Sequence, residues 1–165
     1  MHINIQDFRA EDYGVDRQYL SDIINLINQN SEKYIPNHSE KHAELLADLV
    51  IGKADKDTDV LIYSGKLPMS CYQRALERCQ GNIKILVEQD DEIPEALKQK
   101  NKITFRTLKK ELLGRSPHFF VAGNAFRFET NQEIAAAVAN FNNEKDAGIL
   151  KNNFSILWEQ SGDFQ

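Results

Sequence analysis

Apolar positions recur along this chain with two different periods, and the alternation between them predicts its elements. From Asp16 to about Lys33, Tyr19, Leu20, Ile23, Ile24, Leu26 and Ile27 keep helical spacing, and the polar tail Asn28 to Lys33 ends an amphipathic helix. Pro36 and Asn37 break the chain, after which His38 to Ala54 carries a second stripe of Ala43, Leu45, Leu46, Leu49, Val50 and Ile51. The first dozen residues hold weaker signals and read as an extended arm or a short edge strand at Ile3 to Ile5.

The pattern then shortens. Val60 to Ser64 is a compact β-branched run closed by Gly65, which reads as a buried strand. Pro68 suits the first turn of a helix whose inner face is Tyr72, Ala75, Leu76 and Cys79, and Gly81-Asn82 stops it. Ile83 to Glu88 forms the next strand, Glu92 to Lys100 a short helix, and Ile103 to Leu108 a third strand. Phe119 to Val121, Gly123-Asn124, and Phe126 and Phe128 alternating with Arg127 and Glu129 then predict a hairpin. Two closing helices are expected, Ile134 to Phe141 and Ala147 to Glu159, with Asn140 to Asn143 as a helix terminus between them. Strand and helix in strict alternation favour an α/β domain with a mostly parallel central sheet, a C-terminal β-hairpin and flanking helices. Without repeats or a low-complexity linker, residues 1–165 read as a single domain, with an N-terminal helical segment (1–56) packed on an α/β core (57–160).

Composition narrows the function classes. A chain of 165 residues, 41% hydrophobic and 27% charged, with no apolar run near the roughly 20 residues that span a bilayer, predicts a protein without a membrane partner. The first ten residues lack a basic stretch followed by an apolar one, and the two cysteines, Cys71 and Cys79, lie roughly 12 Å apart on one helix, too far for a disulfide. Both observations predict a cytoplasmic, reducing location. A net charge of −5 disfavours nucleic acid as a partner, although Lys98, Lys100, Lys102, Arg106, Lys109, Lys110 and Arg115 can oppose it if folding gathers them on one face.

The order of elements from about Asp59 to Trp158 resembles one structural half of the phospholipase D-like superfamily. The residues that carry the resemblance are Asp59 to Gly65 as first strand and turn, Asn82 to Glu88 as second strand, and Pro117 to Glu129 as the hairpin. The resemblance implies a His-x-Lys-x4-Asp motif on that hairpin. Its histidine would be the nucleophile, its lysine would hold the phosphate, and a second half or subunit would supply the histidine that protonates the leaving group. Counted from His118, the lysine position is Phe120 and the aspartate position is Ala125, and no Gly-Ser-x-Asn follows. A neutral imidazole attacking a phosphodiester needs a cation to stabilise the developing charge and a carboxylate to orient its ring, and two apolar residues supply neither. The resemblance therefore implies a non-catalytic member. It also implies pairing of two copies across their hairpins, burying Phe119 or Phe126.

His118 remains the candidate catalytic residue, with a strand-edge role as the alternative. Arg127 and Glu129, two apart and hence on one side of their strand, can form a polar patch with Tyr63 or Ser64, or merely a surface ion pair. His38 and His42 have the spacing of two imidazoles on one helix face, but no third ligand accompanies them, so no metal and no cofactor is expected. Near the C-terminus Phe141, Phe154 and Trp158 read as core residues, with Phe164 a further aromatic. The leading expectation is a binding or regulatory module acting through a protein partner, in a regulatory, defence-associated or phage-encoded role. One alternative is a phosphodiesterase or nuclease using His118 in a homodimer with a cation from Lys109, Lys110 or Arg127. The other is a nucleic-acid-binding module using the Lys98 to Arg115 cluster.

Overall fold

The computed structural model describes residues 3–64, 69–88, 93–109, 111, 118–131 and 136–163. The chain begins extended at Asn4 and continues into a 3-10 turn, Ile5–Asp7, and a single helical turn, α1 (Ala10–Tyr13), so of the arm or edge strand expected at Ile3 to Ile5 no strand forms. Ile3 is buried, and its backbone N–H donates to Asn28 Oδ1 at 2.8 Å while Asn28 Nδ2 donates back to its carbonyl at 2.9 Å. A side chain thus satisfies this backbone, so no neighbouring strand is required. Helices α2 (Arg17–Asn28) and α3 (Glu40–Gly52) start where Asp16 and Ser39 accept the backbone N–H of Gln18 and His42, at 2.7 and 3.2 Å. Between them lies a two-residue strand, β1 (Ile35–Pro36).

The core follows as β2 (Val60–Tyr63), α4 (Met69–Arg78), β3 (Ile83–Glu88), α5 (Glu95–Lys98) and β4 (Ile103–Leu108). The hairpin is β5 (Phe119–Ala122) and β6 (Ala125–Asn131), joined by Gly123-Asn124 with Gly123 at a φ of +60°. A positive φ at the first residue of a two-residue loop matches the twist of the strands and costs glycine nothing. Next come β7 (Ala136–Asn140), α6 (Glu144–Glu159) and a second two-residue strand, β8 (Gly162–Asp163).

The sheet has eight strands in the order β1-β7-β6-β5-β2-β3-β4-β8. It is mixed, which corrects the expectation of a mostly parallel sheet. Only β2–β3 and β3–β4 run parallel, while β5 lies antiparallel on β2 and the remaining pairs are antiparallel. Parallel pairing needs a long crossover such as α4; the tight turn at Gly123-Asn124 reverses the chain instead. Within the segment expected as a helix, Ile134 to Phe141, Ala136–Asn140 form β7, because Ala137 and Ala139 alternate into the core and pair with Glu129 and Arg127 of β6. Asn140 accordingly ends β7 and Asn143 caps α6, accepting the backbone N–H of Asp146 at 3.0 Å.

Two apolar layers hold the sheet. One face is covered by the N-terminal arm, α2, α3 and α4, around Leu45, Leu46, Leu49, Ile62, Leu76, Ile85 and Phe120. The other is covered by α6 through Phe154 against Tyr63, Phe119, Val121 and Phe126. Phe119 and Phe126 are each 1% exposed within this layer, so they are not the apolar edges for a second copy that the resemblance implied. Phe141 and Phe154 are buried as expected, and Phe164 lies outside the described residues. Among the described residues no helix is long and apolar enough to cross a membrane.

Candidate functional site

Parallel strands β2 and β3 end at the same side of the sheet, and β5 begins there because it runs antiparallel to β2. In open α/β sheets this carboxyl end is where ligands bind. Four of the predicted residues meet at it. Tyr63, the last residue of β2, is fully buried, and the His118 ring stands perpendicular to its ring with centroids 5.8 Å apart. His118 Nδ1 lies 3.7 Å from Glu129 Oε2, an ion-pair distance longer than a hydrogen bond. The other carboxylate oxygen accepts a hydrogen bond from Arg127 Nη2 at 3.1 Å. Register explains the meeting: the Glu129 N–H donates to the His118 carbonyl at 2.9 Å, and Arg127 sits opposite Phe120.

The cluster is graded in exposure. The side chains of Glu129 and His118 are 22% and 15% exposed, whereas that of Arg127 is 2% exposed. Arg127 Nε is buried without a hydrogen-bond partner among the described residues. Its guanidinium lies 5.9 Å from the centre of the Phe120 ring, whose other neighbour is the Tyr72 ring at 5.0 Å. Phe120, where the resemblance implies a lysine, is therefore an apolar side chain between a buried cation and a buried phenol. Burial is the main reason the Tyr72 hydroxyl is displaced to a higher pKa. Ala125, where the resemblance implies an aspartate, is fully buried in the apolar layer. With its positive charge balanced by Glu129 and almost no exposure, Arg127 is not presented to a ligand in this arrangement.

The remaining predicted residues lie elsewhere or do less. Ser64 is buried next to Tyr63, and its backbone N–H donates to the Leu86 carbonyl at 3.2 Å. Lys109 is exposed just beyond β4, while Lys110 and Arg115 lie outside the described residues. Lys98, Lys100 and Lys102 precede β4 and Lys109 follows it, so six strand residues, about 20 Å, separate them. Arg106, within β4, donates to the Ser161 carbonyl at 2.7 Å and covers the Trp158 ring. The described part of the basic cluster is thus not gathered on one patch. His42 stacks on Tyr19 with ring centres 4.2 Å apart and His38 meets its edge at 5.8 Å. Burial, and after it the charge of His38, pushes the His42 pKa down. Among the described residues no group of three His, Cys, Asp or Glu side chains is placed to hold a metal. Cys79 is a free, buried thiol just past α4; the Cys71 side chain is not described.

No family model matches the sequence, and no curated protein sequence matches it. Solved structures do. Nuc from Salmonella typhimurium, a phospholipase D family member, superposes with a TM-score of 0.57 at 17% identity, over 81% of this chain and 99% of that one. The fold is phospholipase D-like. NucT from Helicobacter pylori matches with a TM-score of 0.55 at 9% identity, over 80% of this chain and 100% of that one. TrmBL2, an archaeal chromatin protein with a novel mode of DNA binding, matches with a TM-score of 0.60 at 16% identity over 88% of this chain. This chain spans 60% of the archaeal protein's length.

Two residues of interest were not singled out from the sequence. Tyr72 read only as the inner face of its helix, although its ring closes over the lysine position. Asp48 stands within Leu45-Leu46-Ala47-Asp48-Leu49-Val50-Ile51, where a lone acid in an apolar stripe is the signal the sequence offers.

Proposed function

We propose that the chain is a non-catalytic phospholipase D-like binding module that acts through a protein partner. One observation carries this reading. The lysine and aspartate positions of the motif hold Phe120 and Ala125, both buried in the apolar core, where no phosphate can be held. The net charge of −5 and the separation of Lys98, Lys100 and Lys102 from Lys109 weigh against a phosphate-backbone partner. The test is to incubate the protein with bis(p-nitrophenyl) phosphate and with single-stranded DNA, beside a His118→Ala variant. No turnover above background is expected from either, and turnover lost on His118→Ala overturns the reading. A pull-down from the native host identifies the partner.

A second reading rests on a different observation. His118 has a carboxylate at 3.7 Å and a guanidinium behind it, a set of groups able to orient an imidazole and balance charge. In that reading the module is a phosphodiesterase or nuclease using His118 from two copies. The same cleavage assay separates the two.

A further inference from the structure

The helical side of the molecule holds a cavity of about 470 Å³ that the candidate site does not use. It opens between the N-terminal arm, α3 and the end of α4, and Phe8, Ile51, Ala54 and Ala75 form its apolar wall. Asp48 lines it from α3 and is only 3% exposed. Its Oδ2 accepts a hydrogen bond from the Tyr13 hydroxyl at 2.7 Å, while Oδ1 is buried without a hydrogen-bond partner among the described residues. An unmatched carboxylate oxygen in an apolar setting is costly, and desolvation pushes the Asp48 pKa up to about 7. The other ionisable groups that Asp48 feels are Glu44 on its own helix, Tyr72, and Arg74 and Arg78 of α4. Arg74 is held by Asp12 at 2.9 Å, and Arg78 donates to the Asp7 carbonyl at 3.2 Å and lies over the Phe8 ring.

We propose that this cavity binds a small organic ammonium ion, with Asp48 as its counter-ion and the apolar wall receiving its hydrocarbon stem. Arg78 also lines the cavity and, with Arg74, offsets part of the Asp48 charge, but both are engaged elsewhere; an ammonium group supplies a donor for Oδ1 and a further positive charge against the buried carboxylate. A neutral donor supplies only the first. A metal ion is disfavoured, because among the described residues no three His, Cys, Asp or Glu side chains are placed to hold one. The volume falls within the range of small-molecule pockets, which are likewise apolar with a few fixed polar groups. This inference is independent of the reading of the His118 site.

The test is calorimetry on the intact chain from pH 6 to 8.5, with 3-methylbutylammonium chloride as probe and 3-methylbutan-1-ol as its neutral counterpart. The expected result is that the ammonium binds at least tenfold more tightly than the alcohol. Its affinity should rise up to about tenfold per pH unit below 7 and level off above, because the carboxyl must release its proton. Asp48→Asn keeps an oxygen for Tyr13 and should bind the probe at least tenfold more weakly. Absence of binding at millimolar probe, or equal binding of the alcohol, overturns the proposal. So does an unchanged affinity in Asp48→Asn. Should that variant fail to fold, a pH-independent affinity in the unaltered chain does the same.

Discussion

At the scale of single residues, the polar groups of this protein are placed where each depends on one neighbour. Glu129 is the sole counter-charge of Arg127 among the described ion pairs, so Glu129→Gln leaves a guanidinium buried without compensation. The carboxylate is partly exposed, which tempers the loss, and a cost of about 1–3 kcal/mol is expected in urea unfolding. Arg127→Met combined with Glu129→Gln should recover part of it. Asp48 predicts a pH dependence of opposite sign to the usual carboxylate. Its folded pKa lies above the unfolded value, so the folded state holds a proton that the unfolded state has lost between about pH 4 and 7. Stability from this group therefore falls as pH rises through that window and stays low above it. Asp48→Asn should flatten the profile and raise stability at pH 8 by a few kcal/mol, on the order of 3 to 4, measured by denaturation at pH 5 and 8. Much of the candidate site was legible at this scale. Alternation along a strand placed Arg127 and Glu129 together, and the hairpin brought them to His118. The near-complete burial of Arg127 was not legible, because an arginine between phenylalanines in a strand reads as the solvent side.

Among elements, legibility followed length and period. The helices α2 and α3 and the strands β2, β3 and β4 were visible in the sequence because buried apolar runs specify them locally. The strand β7 was not, since Ala136, Ala137, Val138 and Ala139 fit a helix by propensity and form a strand through pairing with β6 and β1. The strands β1 and β8 have two residues each, too few for any period to register. The junction between α4 and β3 is tighter than its sequence reveals. A Cβ at Gly81 would stand 2.0 Å from the Thr58 carbonyl oxygen and 2.8 Å from that of Asp55, both of them backbone. Gly81→Ala must therefore displace the loop before β2, and a loss of about 2–3 kcal/mol, seen as a lower thermal midpoint, is expected.

For the molecule as a whole, helices on both faces of one sheet make the two apolar layers separately testable. The layer under α6 ends at Trp158, which stacks on Phe154 at 5.5 Å and is flanked by Lys84 Nζ at 5.6 Å and Arg106 Cζ at 5.1 Å. Trp158→Ala removes that cover from α6, and a cost of about 2–3 kcal/mol is expected for a partly buried tryptophan, read by chemical denaturation. The far edge of the sheet bears on how copies of this chain can meet. Strand β7 has its outer side occupied by Ile35 and Pro36, and the neighbouring Ala137 N–H is taken by Asn37 Oδ1 at 2.5 Å. Beyond them stands a border two residues long, in which Pro36 has no N–H to offer. Another polypeptide cannot zip onto that border as an added strand. Any assembly formed on that flank must be recognised by side chains, which makes its specificity a matter of surface residues open to mutation.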